Sequence, residues 1–140
     1  MSQDREFTFV CLKDGERVKA KLGDLKQTAM ITNMCSNGYG GEVPVEIDSK
    51  NFKEIVAYCQ YHTKNPDKEV KDDPTYVSPW DKRFIEKFMD KKTAHKALLE
   101  LYFYADYLDI PDILALVAKT MVNLMNDAKT ADKFREELGI

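Results

Sequence analysis

Apolar positions recur with a period of two near the start of the chain and with a helical period through most of the rest. Residues 7–12 read Phe-Thr-Phe-Val-Cys-Leu, rich in strand formers, and over 16–22 Val18, Ala20 and Leu22 alternate with Arg17, Lys19 and Lys21. Asp14-Gly15 lies between them and predicts a two-residue hairpin turn, because Gly accepts the positive φ that such a turn requires. Asp24 is placed to cap a helix over 25–35, whose apolar stripe is Leu25, Met30, Ile31 and Met34 and whose stop is Gly38. The run Val43-Pro44-Val45-Glu46-Ile47 predicts a short strand, and its proline puts it at a sheet edge. From Ser49, the residues Phe52, Ile55, Val56 and Cys59 fall on one helical face.

Residues 64–79 break the pattern. They hold Pro66, Pro74 and Pro79 and seven charged side chains, so they predict a mobile loop with no packed face. Ser78-Pro79-Trp80-Asp81 then reads as a helix start, with Ser as the cap, Pro at the first position and an acid in the first turn. Phe84, Ile85, Phe88 and Met89 follow at helical spacing. Thr93 opens a helix to about Leu108, Asp109 caps the next with Pro111 in its first turn, and that helix runs to about Met125. A last short helix near Thr130 carries Phe134 and Leu138. The order is a hairpin, a helix, a strand, a helix and then helices only, which predicts a mixed α/β (α+β) fold: a small α/β half continued by a helical half.

The segment 93–125 holds more apolar surface than one core face requires. Between Ile113 and Met125 only Lys119, Thr120 and Asn123 are polar. Ile113, Leu114, Val117, Met121 and Leu124 form one stripe, and Leu114, Ala118, Met121, Val122 and Met125 form a second that overlaps it. On the preceding helix Leu98, Leu101, Ala105 and Leu108 form a core stripe, while Leu99, Tyr102, Phe103, Tyr104 and Tyr107 add bulk elsewhere. Each large side chain left in water forgoes ~1.5–3 kcal/mol of burial. A surplus of this kind is either the centre of a helical core or a face that a partner covers.

Composition narrows the choice of partner. The chain has 140 residues, a net charge of −3, 44% hydrophobic and 32% charged residues, which describes a globular domain. No basic stripe suggests nucleic acid, no apolar run approaches the ~20 residues of a membrane helix, and the polar start Met1-Ser2-Gln3-Asp4 does not read as a secretory signal. Cys11, Cys35 and Cys59 are odd in number and widely spaced, so they predict buried thiols in a reducing compartment, the cytoplasm or nucleus.

Candidate chemistry is sparse. The glycine-rich 36–41 follows a helix and leads into a strand, the reverse of a phosphate loop, and lacks the Gly-Lys-Ser/Thr ending. Cys59 and His62 sit three residues apart, and with His95 or Cys35 they could be imagined around zinc. Structural zinc, however, takes four ligands, usually as two close pairs, and only one pair exists. The plainer reading is a buried thiol beside an exposed imidazole. No nucleophile elbow occurs, and the acids scattered among lysines read as solvated helix faces. These patterns predict no catalytic centre, no metal and no cofactor.

Ala105-Asp106-Tyr107-Leu108-Asp109-Ile110, followed by Leu114 and Lys119-Thr120, resembles the most characteristic stretch of the S-phase kinase-associated adaptors of SCF ubiquitin ligases. Trp80-Asp81 with Phe84-Ile85, Cys59 with His62, and Asp14-Gly15-Glu16 resemble further family positions. The likeness runs from about residue 7 to residue 140 and is loosest over 24–45. It implies a BTB/POZ fold over 1–110 with a C-terminal helical extension over 111–140 that binds an F-box. It also implies a non-catalytic role, bridging an F-box substrate receptor to a cullin N-terminal domain. Carried over by position, the cullin-facing residues are Asp106 and Tyr107. The F-box-facing residues are drawn from Leu99, Tyr102, Leu114, Ala118, Met121, Val122, Met125, Phe134 and Leu138. A second reading keeps the fold but has the protein self-associate through its open apolar face, as a homodimer, when no F-box is bound.

The chain departs from the family pattern in three places. The family's acidic low-complexity loop is replaced by the glycine-rich 36–41. Members usually add a further helix and a Trp-Cys pair beyond the position of Ile140, and lower F-box affinity is expected without them. Asp106 stands where the family usually has Asn, and an added carboxylate left unpaired at a buried contact is costly. Asp106→Asn is therefore expected to tighten cullin binding in isothermal titration against a cullin N-terminal domain, and an unchanged affinity would argue against a contact there.

Overall fold

The computed structural model describes residues 5–36, 42–65, 76–89, 94–126, 132 and 135–136. These contain strands β1 (Glu6–Cys11) and β2 (Glu16–Lys21), a 3₁₀ turn (Leu22–Leu25), helix α1 (Ala29–Ser36), strand β3 (Glu42–Val45), and helices α2 (Ser49–Lys64), α3 (Pro79–Glu86), α4 (Ala94–Leu108) and α5 (Pro111–Met125). The mixed α+β class is the one the pattern predicts. The chain divides into two compact units, Met1–Lys68 with Tyr107–Ile110, and Glu69–Asp106 with Pro111–Ile140.

In the first unit the strands lie in the order β2-β1-β3. β1 and β2 are antiparallel from Glu6↔Lys21 to Cys11↔Glu16, and β1 and β3 are parallel from Thr8↔Glu42 to Cys11↔Val45. This register aligns the apolar positions: Phe7 faces Ala20, Phe9 faces Val18 and Val43, Cys11 faces Val45, and all of them are buried. Helix α2 packs on the 3₁₀ turn and β2, with the Phe52 ring 5.3 Å from that of Phe9. Its predicted stripe, Phe52, Ile55, Val56 and Cys59, is buried throughout. The other sheet face is half-buried or exposed, and there Arg17 and Glu42 form an ion pair between the two outer strands. Among the described residues β3 pairs only with β1, so Pro44 sits on an edge strand as its missing N–H requires.

The details of the turns and caps differ from the sequence reading. The hairpin loop is residues 12–15, four rather than two, with only Gly15 left-handed at φ 74° and its N–H donating to the Cys11 carbonyl at 2.7 Å. Asp24 lies inside the 3₁₀ turn and does not cap a helix. Helix α1 begins at Ala29, where the buried Thr28 hydroxyl accepts from Ile31 N at 3.1 Å. Leu25 and Ile31 are buried as expected, with Met30 and Met34 half-buried, while Gly38 lies outside the described residues. Helix α2 starts at Ser49 as expected, and Asp48 caps it by accepting from Asn51 N at 3.1 Å.

Ser49 has another role. Its backbone N–H and hydroxyl donate to Asp14 at 2.9 and 2.7 Å, and Glu16 N donates to the same carboxylate at 3.1 Å. The hairpin loop is thereby fastened to the start of α2, where a negative charge also suits the helix dipole.

In the second unit Ser78 accepts from Asp81 N at 3.3 Å and Pro79 opens α3, as predicted. The helix stops at Glu86, so Phe88 and Met89 follow it rather than continue its stripe. Phe84, Ile85 and Phe88 are buried, and Trp80 stacks on Phe84. On α4 the stripe Leu98, Leu101, Ala105 and Leu108 is buried, but Tyr104, expected outside it, is buried as well. Asp109 does not cap α5. It follows the last residue of α4 with φ 56°, a left-handed turn that Asp tolerates better than most residues, and the buried Ile110 precedes Pro111. The loop at 64–79, apart from 64–65 and 76–79, and the expected helix from Thr130, apart from 132 and 135–136, lie outside the described residues.

Hydrogen bonds from Ser49 and Glu16 hold the Asp14 carboxyl below its ordinary pKa of 3.8. A carboxyl lowered on folding stabilises the fold above its unfolded pKa, and the gain disappears as pH falls through the folded value. Asp14→Ala is therefore expected to lower the melting temperature at pH 7, and the gap from wild type should close as pH drops below 3.8. Melting curves across this range are the check; a gap independent of pH would mean that the charge contributes nothing.

Candidate functional site

The two overlapping stripes of α5 have different fates. Ile113, Leu116 and Val117 are buried with Thr120, whose hydroxyl donates to the Leu116 carbonyl one turn back at 2.9 Å. A polar residue thus enters the buried face at little cost, because its donor is satisfied within the helix. Leu114, Met121 and Leu124 are half-buried, and Ala118 and Val122 are exposed, Val122 by 52%. The expected first stripe is therefore mixed, with Ile113 and Val117 in the core and Leu114, Met121 and Leu124 at its margin. Leu114, Ala118, Met121 and Val122, spaced by three, four or one, share one open strip of the helix. Of the other expected F-box residues, Leu99 is half-buried and Tyr102 exposed, three apart on α4. The side chain of Met125, and Phe134 and Leu138, lie outside the described residues.

Asp106 and Tyr107 occupy the last turn of α4, and both are exposed, Tyr107 by 40%. The Tyr107 hydroxyl accepts a hydrogen bond from Glu46 N, just after β3, at 3.3 Å. Two residues on, the Asp109 carbonyl accepts from Ala29 N, the first residue of α1, at 3.3 Å. The end of α4 is thus held on both sides of Leu108 by backbone donors from the first unit, to which Tyr107–Ile110 belong.

Phe103, read from the pattern only as added bulk, is 65% exposed, more than any other large apolar side chain among the described residues. The signal was available: with Leu98, Leu101, Ala105 and Leu108 buried, position 103 points away from that stripe. The exposure of Leu12, 53%, was less legible, since the residue belongs to the hairpin loop and not to the strand assigned to it. Glu46 was also missed, because its role rests on a backbone N–H and not on its side chain.

The residues weighed for chemistry are placed differently. Cys11, Cys35 and Cys59 are buried and form no disulfide. Burial, reinforced by the nearby Asp14 and Asp48, pushes the Cys11 thiol up to about 11, and burial also raises Cys35. Such thiols stay protonated at neutral pH, the form that neither attacks nor ligates. His62 is buried rather than exposed, its ring centroid 4.3 Å from Tyr58 and 5.1 Å from Tyr61, where an imidazole serves as an aromatic core group. Among the described residues no group of three or more His, Cys, Asp or Glu is placed to hold a metal ion, and no helix is long and apolar enough to cross a membrane.

Comparison with known proteins agrees with the fold. No protein-family model matches the chain. It is similar to the E3 ubiquitin ligase complex SCF subunit sconC of Arthroderma benhamiae, 26% identical over 137 residues that span 91% of this chain and 79% of the relative. It is likewise similar to SKP1-like protein 14 of Arabidopsis thaliana, 28% identical over 129 residues, 91% of this chain and 78% of the relative. SKP1-like protein 5 of the same plant is 27% identical over 141 residues, 95% and 85% of the two chains. The similarity to these proteins extends along most of the chain.

Because all three thiols are buried, iodoacetamide at pH 8 is expected to leave them unmodified in the folded protein and to label all three in urea, read by intact mass. Labelling of Cys11 in the folded state would mean that the sheet opens at its centre.

Proposed function

We infer that this chain is an SKP1-like adaptor subunit of an SCF-type E3 ubiquitin ligase: a non-catalytic bridge between an F-box substrate receptor and a cullin, serving ubiquitin-dependent protein degradation. The observation that carries this reading is the open strip of α5. A helix that buries Ile113 and Val117 and still presents Leu114, Ala118, Met121 and Val122 is amphipathic in an unusual sense, apolar on both its buried and its outer side. Soluble proteins seldom keep such a strip bare unless a partner covers it. In this reading the F-box is the partner that covers it. Methionine in the strip suits an adaptor that serves several receptors, because its flexible side chain repacks against different shapes. Leu99 and Tyr102 on α4, together with Met125, Phe134 and Leu138, complete the F-box set in this reading.

The cullin set is Asp106 and Tyr107. They are chemically unlike the α5 strip, a carboxylate and a phenol on one helical turn, which suits a second and separate partner. An adaptor of this kind performs no bond chemistry and works by holding a substrate receptor at a fixed distance from the ubiquitin-charged enzyme. Its place of work would be the cytoplasm and nucleus.

The test is co-expression with an F-box segment, size-exclusion chromatography with light scattering, and addition of a cullin N-terminal domain. A stoichiometric ternary complex is expected. Val122→Glu should weaken F-box binding by roughly a hundredfold or more, since a carboxylate would be buried without a partner, and should leave circular dichroism and cullin binding unchanged. Val122 is the better probe than Met121 because it is already exposed, so its loss does not open the core. A homodimer with no F-box binding would overturn the adaptor reading.

A further inference from the structure

We propose that Leu12, on the hairpin loop, is a second anchor for the cullin, buried in the complex by the same partner helix that covers Tyr107. This rests on the reading of Tyr107 as cullin-facing and carries that surface from the end of α4 onto the open face of the sheet.

Among the described residues of the first unit, the large hydrophobic side chains that remain exposed are Leu12, at 53%, and Tyr107, at 40%. They flank one peptide group. The Val45 carbonyl accepts from Leu12 N at 2.9 Å, and the N–H of the same peptide, on Glu46, donates to the Tyr107 hydroxyl at 3.3 Å. In a trans peptide these two groups point to opposite sides, so Leu12 lies on the β1 side of β3 and Tyr107 at its outer edge. Hydrogen-bonded strands are ~4.8 Å apart, which places the Leu12 backbone roughly 8 Å from the phenol oxygen. An α-helix with its side chains is ~10–12 Å across, so one helix laid over the end of β3 covers both residues.

The patch around Leu12 is apolar and fixed. Cys11 is buried against Val45, so alternation turns Leu12 to the open face, where the half-buried Val10 and its register partner Pro44 continue the apolar surface. A lone exposed leucine is ordinary, but one that adjoins Val10, Pro44 and Tyr107 is part of a patch. The loop beneath it is tied down. Asp14 N and Gly15 N donate to the Cys11 carbonyl at 3.2 and 2.7 Å, and the Asp14 carboxylate receives hydrogen bonds from Ser49 and Glu16. A side chain presented on a loop ordered in advance gives up little entropy when it is covered.

The experiment titrates a cullin N-terminal domain into the full chain and its Leu12→Ala, Leu12→Asp and Tyr107→Ala variants, with binding of an F-box segment and the melting temperature as parallel readouts. The expected result is a roughly fivefold loss of cullin affinity for Leu12→Ala and roughly fiftyfold or more for Leu12→Asp, with F-box binding and melting temperature unchanged in both. Cullin affinity of Leu12→Asp within twofold of wild type, while Tyr107→Ala is weakened, would overturn the proposal and leave the adaptor reading standing. A lower melting temperature in both Leu12 variants would make the leucine structural and overturn it as well. So would a wild-type homodimer that Leu12→Asp disperses without changing cullin affinity, since the patch would then belong to a second copy of the chain. Wild-type protein that binds the F-box segment but no cullin would remove the reading on which the proposal rests.

Discussion

The left-handed turn at Asp109 is the constraint that ties the end of α4 to the start of α1. A non-glycine residue at φ 56° carries strain, and it persists only where its surroundings determine it. Here the surroundings are explicit. The carbonyl of Asp109 accepts the N–H of Ala29, an orphan donor at the start of α1, and the next residue, Ile110, is fully buried. One residue thus ends α4, satisfies a donor of α1 and delivers Pro111 to the first position of α5, where a missing N–H costs nothing. The same return of the chain places Tyr107 where its phenol can receive the N–H of Glu46.

Helices α4 and α5 show how one element can serve both core and surface. On α4 the spacing of Leu98, Leu101, Ala105 and Leu108 commits one side to burial, and Tyr104 widens that side. Phe103, Asp106 and Tyr107 are left outside it. On α5 the core side is narrow, since Thr120 sits within it and satisfies its hydroxyl on the helix itself. A narrow core side leaves apolar residues over, and those become the outer strip of Leu114, Ala118, Met121 and Val122. Leaving a large side chain of this kind exposed forgoes ~1.5–3 kcal/mol. In a domain whose total stability is ~5–15 kcal/mol, the exposed Val122 and the half-buried Leu114 and Met121 beside it are a sizeable forgone gain.

Much of this was legible in the amino-acid order. The period of two over 16–22 and the helical period from Phe52 to Cys59 report burial directly, because side chains on one face must share one environment. The expected edge position of Pro44 followed from its missing N–H. What could not be read was the assignment of caps. Asp24 and Thr28, or Asp48 and Ser49, are each competent to cap; the choice depends on which residue the tertiary fold leaves in an extended conformation. Asp109 stood in a good capping position by sequence, yet the chain needed a reversal there, and its side-chain type suits both uses. His62 was misjudged for a related reason: imidazole is polar in composition but aromatic in packing, and Tyr58 and Tyr61 supply the rings it packs against. The apolar surplus of α5 was legible as a region, and its division into the buried Ile113, Leu116 and Val117 and the half-buried or exposed Leu114, Ala118, Met121 and Val122 required the structure.

In the adaptor reading the two surfaces differ in what they ask of a partner. Apolar contact on α5 is non-directional: it depends on area removed from water, so different receptor helices can be accepted with modest repacking. The end of α4 is the opposite case. A phenol held by a backbone donor has one outward direction, and discrimination by a hydrogen bond is sharp, because a partner that fails to supply the acceptor leaves a polar group unsatisfied. In the adaptor reading this division has a physical logic. The end read as accepting different receptors is built from adaptable apolar side chains, and the other end carries a phenol that receives the Glu46 N–H, beside a turn tied to Ala29 N.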